Sequence, residues 1–286
     1  MRRFFIIGNP RSGTTLLRLM LNKHRKMSVP PEAGFLVWLY DEYQDFTFTG
    51  RNVDYFIKTL RNTTKIEHWN LDFDALRSFI MSEKPDNFSI LIDSVYEYYS
   101  KDNLLKKIDF YGDKNNFYLH KIDLLAKLYN NAKFIHIIRD GRSVAVSYKD
   151  LNKKKITSKY APDLPDKIET IAKEWTDNIQ IINNSFEKLN PSLYYTVRFE
   201  DLILKTEESL QNICDFLDIE YDEEMLKYFE TTENDGLEPG VFLQWKSKNK
   251  MPLQEEEVFK YKKLSQNELN LFENLTNDLL VKYEYI

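Results

Sequence analysis

Gly8-Asn9-Pro10-Arg11-Ser12-Gly13-Thr14-Thr15 is the stretch on which the fold turns. It follows the apolar run Phe4-Phe5-Ile6-Ile7 and leads into Leu16-Leu17-Arg18-Leu19-Met20-Leu21, so the pattern reads strand, glycine turn, helix. In that setting the backbone amides of the turn and of the first helical turn point at one place, where the helix dipole is positive, and cradle an anion. A nucleoside triphosphatase loop adds a lysine for the outer phosphates and a hydroxyl that holds magnesium on them. Thr14 stands where that lysine would be, and the cation of this loop is Arg11, whose planar fork suits an oxyanion group better than a point charge does. The loop therefore predicts an anion that resembles a diphosphate and needs no metal ion.

The rest of the composition narrows the class. Only 8 of the 286 residues are glycine, and Gly8, Gly13, Gly34, Gly112 and Gly141 all lie in or beside the motifs discussed here, where the backbone demands them. A chain with 42% hydrophobic and 14% aromatic residues buries ample core and is not disordered. Its 40 basic and 45 acidic side chains leave a net charge of −5, which argues against a general nucleic-acid binder and makes any anion site a local basic cluster. The single cysteine, Cys214, sits in the helical pattern of Leu210, Ile213 and Leu217 and is expected in the core of a protein kept in a reducing compartment. The apolar start stops at Gly8, too short for a signal peptide or a membrane span, so cytoplasmic residence is expected.

Further along, Met27-Ser28-Val29 reads as a brief second strand ended by Pro30-Pro31. Residues from about 33 to 109 look mostly helical and aromatic and are expected to form an insertion over the site. A short strand ending near Lys114 is followed by a helical stripe through Ile122, Leu125, Ala126 and Tyr129, and then by the buried-strand run Phe134-Ile135-His136-Ile137-Ile138. A long helix is predicted from about Asp166 to Leu189, a strand from Tyr194 to Phe199, a helix over Leu210 to Leu217, and a last helix opening on the capping box Ser265-Gln266-Asn267-Glu268. Strands alternating with helices imply an α/β, P-loop-like three-layer fold: a central parallel sheet flanked by helices, with ligands outside the carboxyl ends of the strands. The whole chain, 1 to 286, is expected to be one domain.

The segment Ile137-Ile138-Arg139-Asp140-Gly141-Arg142-Ser143 through Ser147 repeats the logic of the first loop: buried strand, cation at its carboxyl end, turn, helix. Two oxyanion sites on one sheet edge suggest a ligand with two separated anionic groups. Together, Pro10-Arg11-Ser12-Gly13-Thr14-Thr15 and Arg139 through Ser147 resemble the sulfotransferases that use 3′-phosphoadenosine-5′-phosphosulfate (PAPS). Tyr111-Gly112-Asp113-Lys114, Phe199-Glu200-Asp201-Leu202 and Trp245-Lys246 are similar to further blocks of that family, and the chain is most like bacterial carbohydrate-type and tyrosylprotein members. It departs from them at Asn115-Asn116, at Phe199 in place of a tyrosine, and at Leu151 in place of a second 3′-phosphate arginine, for which Lys153, Lys154 or Lys155 would have to compensate.

The resemblance implies PAPS as donor co-substrate with no metal. Arg11, Ser12, Gly13, Thr14 and Thr15 would hold the 5′-phosphosulfate and Arg139 and Ser147 the 3′-phosphate, with Phe199, Trp245 and Lys246 completing the donor site. It makes Glu32 the general base and Lys114 the stabiliser of the transferring group, with Arg11. Glu32 follows the second strand, beside the P-loop if the two strands are neighbours; apolar side chains such as Phe35 would have to raise its basicity, and it could equally cap a helix starting near Ala33. His120 is the reserve base, and His136 a structural residue. Trp38, Tyr40, Tyr43, Tyr96, Tyr98 and Tyr99 are either core or a platform for the acceptor. The acceptor is expected to be a hydroxyl of a glycan or glycolipid, less readily a peptide tyrosine. The competing readings are a P-loop kinase or triphosphatase, with Ile90-Leu91-Ile92-Asp93 as its magnesium-binding strand unless that run is helical, and a non-catalytic nucleotide-binding module.

Overall fold

A computed structural model describes residues 1–103, 107–230, 239–247 and 251–286. Five strands, β1 (Arg2–Ile7), β2 (Met27–Ser28), β3 (Phe110–Lys114), β4 (Lys133–Ile138) and β5 (Tyr194–Arg198), form one sheet in the order β2-β3-β1-β4-β5. Every pairing is parallel. β1 has a neighbour on each side, and its side chains alternate between two cores. Phe5 and Ile7 pack on one face and Phe4 and Ile6 on the other, which is why this run is apolar throughout.

The helices supply the outer layers. On the Phe4 face lie α1 (Thr14–Lys23), α10 (Phe199–Leu204) and α11 (Thr206–Leu217), with Cys214 buried among Leu210, Ile213 and Leu217 as its spacing predicts. Burial pushes the Cys214 thiol up to about 12, so it is an inert core group. The Phe5 face is covered by the short turns α2 (Phe35–Trp38) and α3 (Tyr40–Tyr43), by α4 (Gly50–Arg61), α5 (Phe73–Glu83) and α6 (Phe88–Asn103), and by α7 (Ile122–Leu128). The expected helical stretch over 33–109 is thus α2 to α6 among the described residues. A third core around Trp175 joins α8 (Gly141–Asn152), α9 (Ile168–Phe186) and α13 (Gln266–Lys282); α13 carries the capping box that Ser265 and Glu268 foretell. One further turn, α12 (Leu243–Lys246), lies near the sheet edge described below.

Three expectations are corrected. β2 is not the neighbour of β1: β3 is inserted between them, so Glu32 lies beyond the end of β3. Ile90-Leu91-Ile92-Asp93 is helical, within α6, and Asp93 accepts a 2.9 Å bond from Nε of Arg3 on β1, so the magnesium strand of a kinase is not formed there. The last strand stops at Arg198, and Phe199 opens α10, because Glu200 turns back to accept the Asp140 amide at 3.0 Å.

Asp113 is buried beneath the site, where Oδ2 accepts hydroxyls from Tyr96 and, at 2.6 Å, from Tyr118. Burial raises its carboxyl to about 6 against the opposing pull of those hydroxyls and of Arg3. The folded protein therefore binds this proton more tightly than the unfolded chain does, and the associated stability is present at pH 4 and lost as pH rises through 6. Replacing Asp113→Asn removes that titration. Denaturant unfolding between pH 4 and 7 should show wild type losing about 2 kcal/mol relative to the variant, and parallel curves would show that Asp113 does not titrate in this range.

Candidate active site

The carboxyl ends of the three central strands bring the chemistry together. Register pairs Ile6 with Lys114 and Ile7 with His136, so the P-loop after β1, Lys114 at the end of β3 and Arg139 just past β4 share one edge. They line a cavity of about 290 Å³, with Glu32, Phe199, Trp245 and Lys246 in its wall. The P-loop is braced from below: Asn178 Nδ2 donates to the side-chain Oδ1 of Asn9 at 2.7 Å, and Asn9 Nδ2 in turn donates to the Pro10 main-chain carbonyl at 2.8 Å.

Within the loop Arg11 (φ 67°) and Gly13 (φ 95°) are both left-handed. A side chain at Gly13 would also meet Phe199, since a Cβ built there lies 2.5 Å from its ring. Thr14 and Thr15 open α1, and the Thr14 hydroxyl donates to Asn116 at 3.3 Å. Ser12 is fully buried and its Oγ has no partner among the described residues.

Arg11 reaches across the cavity, donating from Nε to Ser147 Oγ at 3.1 Å and from Nη2 to the Trp245 carbonyl at 3.4 Å. Arg139 lies over the Phe199 ring at 4.2 Å, donates to the Arg11 carbonyl at 3.1 Å, and pairs with Glu257 at 3.2 Å. Its Nε is buried with no partner among the described residues. Burial, and then the nearby Arg139, bring the Arg11 guanidinium down to about 10. A half-buried and a buried guanidinium facing one cavity, the second with an orphaned donor, fit a ligand that carries anionic groups.

On the other side of the cavity Glu32 is held by two ammonium groups. Lys114 Nζ is 2.8 Å from Oε2 and Lys65 Nζ is 2.6 Å from Oε1. Burial alone would raise this carboxyl, but Lys114, Lys246 and Lys65 outweigh it and hold Glu32 well below the usual carboxylate range. The expectation that apolar neighbours make Glu32 more basic is therefore corrected. So is the capping role, because α2 begins after Gly34 with no side-chain cap. The loop is fixed instead by Trp69, whose Nε1 donates to the Pro31 carbonyl at 2.9 Å. Lys65 was not foreseen. It comes from a left-handed turn (φ 71°) in the helical insertion, where sequence spacing relates it to nothing in the loop.

Other expected residues fall outside. Lys153, Lys154 and Lys155 are exposed and do not line the cavity, while Leu151 packs in an apolar cluster with Phe242 and Trp245. His120 is exposed beside Phe117 and cannot serve as a reserve base in this cavity. His136 is buried on β4, and its ring is held neutral, down to about 3, chiefly by burial. Tyr43, Tyr96 and Tyr99 are core residues, Tyr40 and Tyr98 pack partly buried against that core, and Trp38 is half-exposed over Gly34; none of the six lines the cavity. Its aromatic lining is Tyr160, Phe199, Tyr228, Phe242 and Trp245.

The chain belongs to the sulfotransferase family, whose model matches residues 3–223. Protein-tyrosine sulfotransferase A of Caenorhabditis elegans is 25% identical over 224 residues, which is 78% of this chain and 52% of that protein. The chain spans about half the length of the curated relatives it matches. Among solved structures, the sulfotransferase domain of the Synechococcus PCC 7002 olefin synthase superposes with a TM-score of 0.60 at 22% identity, covering 96% of this chain and 94% of that one. Mouse sulfotransferase SULT7A1 complexed with PAP gives 0.53 at 13% identity, covering 98% of this chain and 84% of that one. These likenesses show the three-layer fold with its central parallel sheet.

Gly13→Ala tests the local geometry. Both the positive φ and the contact with Phe199 oppose a side chain. Chemical denaturation should show a loss of about 1–3 kcal/mol, and a variant as stable as wild type would mean that the turn relaxes freely.

Proposed function

We propose that this chain transfers a sulfuryl group from PAPS to an acceptor hydroxyl. The observation that carries the reading is the pairing, in one cavity, of an arginine-bearing P-loop with a second buried arginine at the end of the adjacent strand. PAPS supplies an activated sulfuryl group on a phosphate, with a second phosphate on the ribose. Arg11, the loop amides of Ser12 and Gly13 and the Thr14 and Thr15 hydroxyls would hold the 5′ end, while Arg139 and Ser147 would take the 3′-phosphate.

In the proposed reaction the acceptor oxygen forms a bond to sulfur as the bond from sulfur to the bridging oxygen breaks, and adenosine 3′,5′-bisphosphate leaves with that electron pair. The hydroxyl proton goes to Glu32, and Lys114 neutralises charge on the departing oxygen. An ionised carboxylate has about four lone-pair positions, so Glu32 can accept this proton while keeping its bond to Lys114. The resemblance to carbohydrate-type members supports a glycan or glycolipid hydroxyl as acceptor. The protein-tyrosine sulfotransferases among the relatives support a second reading, in which the hydroxyl is that of a peptide tyrosine.

The donor is tested by thermal unfolding with adenosine 3′,5′-bisphosphate alone and with magnesium-ATP. The bisphosphate at a hundredfold over Kd should add about 2.7 kcal/mol, a shift of several degrees. Stabilisation by magnesium-ATP only would replace the reading with a kinase.

Glu32→Gln should lower turnover by roughly two to four decades while the bisphosphate still binds. Because the two lysines hold Glu32 ionised well below the usual range, protonation of Glu32 should not slow turnover as pH falls from about 8 to about 5. An acid limb centred near about 6.5, or full activity in the Gln variant, would place the base elsewhere.

A further inference from the structure

Glu257 is a carboxylate where the proposed donor puts a phosphate. Arg139 gives both hydrogens of Nη2 to it, one to the main-chain carbonyl at 2.6 Å and one to Oε2 at 3.2 Å. Nη1 is engaged with the Arg11 carbonyl at 3.1 Å, and Nε is buried without a partner among the described residues. A guanidinium offers two edges for a bidentate grip, Nε with Nη2 or Nη1 with Nη2. Both use Nη2, so a phosphate cannot take either edge until Glu257 gives up its place.

The segment around Glu257 is built so that the side chain can leave while the backbone stays. Ser143 on α8 donates to the Val258 carbonyl at 3.3 Å and accepts the Tyr261 amide at 3.1 Å, which clamps the chain on both sides of Phe259 and Lys260. The Glu257 side chain lines the cavity, and a second cation is already near it: Lys260 Nζ is 3.6 Å from Oε2 and also pairs with Asp150 at 3.2 Å. Arg11, Arg139 and Lys260 thus gather around Glu257, and an incoming dianion would meet a like charge if Glu257 remained on Arg139.

We propose that Glu257 is the resident counter-ion of the 3′-phosphate subsite. Its carboxylate holds Arg139 while the subsite is empty and yields to the phosphate. It is therefore a specificity-determining residue that sets how much the 3′-phosphate adds to nucleotide affinity and how readily the bisphosphate product departs. This rests on the PAPS reading above, and the experiment separates the two.

Wild type and Glu257→Gln are titrated calorimetrically with adenosine 3′,5′-bisphosphate and with adenosine 5′-monophosphate. Removing the like charge should tighten the bisphosphate about tenfold and leave the monophosphate within about twofold, and adding Arg139→Ala to the variant should abolish the gain. Glu257→Ala, which keeps the main-chain carbonyl on Arg139, should give the same selective gain, and unfolding without ligand checks that each variant is folded. Equal effects on both nucleotides, or none, would overturn the role of Glu257 while leaving the donor reading intact. Failure of the bisphosphate to bind wild type would overturn both.

Discussion

The gathering of Arg11, Lys114 and Arg139 at one edge of the sheet, the last two of them buried, is the constraint around which the rest of the molecule is arranged. An ion taken out of water costs several kcal/mol unless a partner of opposite charge is well placed. The partners come from outside the sheet: Glu32 from the loop beyond β2, and Glu257 from the C-terminal segment. Each pair ties a peripheral segment to the strand ends, so the contacts that close the cavity also offset the cost of its charge. Among the described residues Arg11 donates to a hydroxyl and a carbonyl and to no carboxylate, and it sits near Arg139, with Glu257 as the nearby negative charge. That imbalance is what an anionic ligand would relieve.

The parts of the site that were legible in the sequence are those made by a strand and the turn that follows it. Arg11 and Arg139 each leave a buried apolar run at a glycine turn, and a parallel sheet forces such positions onto one edge. Lys65 and Glu257 were not legible, because neither lies in a patterned segment. Lys65 is carried by an irregular turn between helices, and Glu257 meets Arg139 across 118 positions of chain. The order of strands was also hidden. β2 is two residues long, and nothing in Met27-Ser28-Val29 says that β3 will pair with β1 in its stead. Aromatic spacing left two readings open for a related reason: Tyr43, Tyr96 and Tyr99 look identical in sequence whether they face a ligand or other rings, and here the core takes them, Tyr43 against Phe56 and Tyr96 and Tyr99 against Trp69.

The inserted position of β3 decides how the proposed chemistry is balanced. With β3 beside β1, Ile6 pairs with Lys114, and the ammonium stands next to the P-loop. With β2 displaced to the sheet edge, the chain leaving it must pass over the end of β3, and Glu32 meets Lys114 there. The proposed proton acceptor and the cation proposed for the leaving oxygen are thus joined by strand order before any substrate arrives. The same contact makes Glu32 a weak base, since the lysines favour its charged form. A weak base suits a reaction in which the hydroxyl becomes acidic only as its oxygen bonds to sulfur: proton transfer then follows that bond, and Glu32 has to be ionised and in position rather than strongly basic. Two lysines on one buried carboxylate meet both requirements, and they explain why the insertion contributes Lys65 to the site instead of an apolar neighbour.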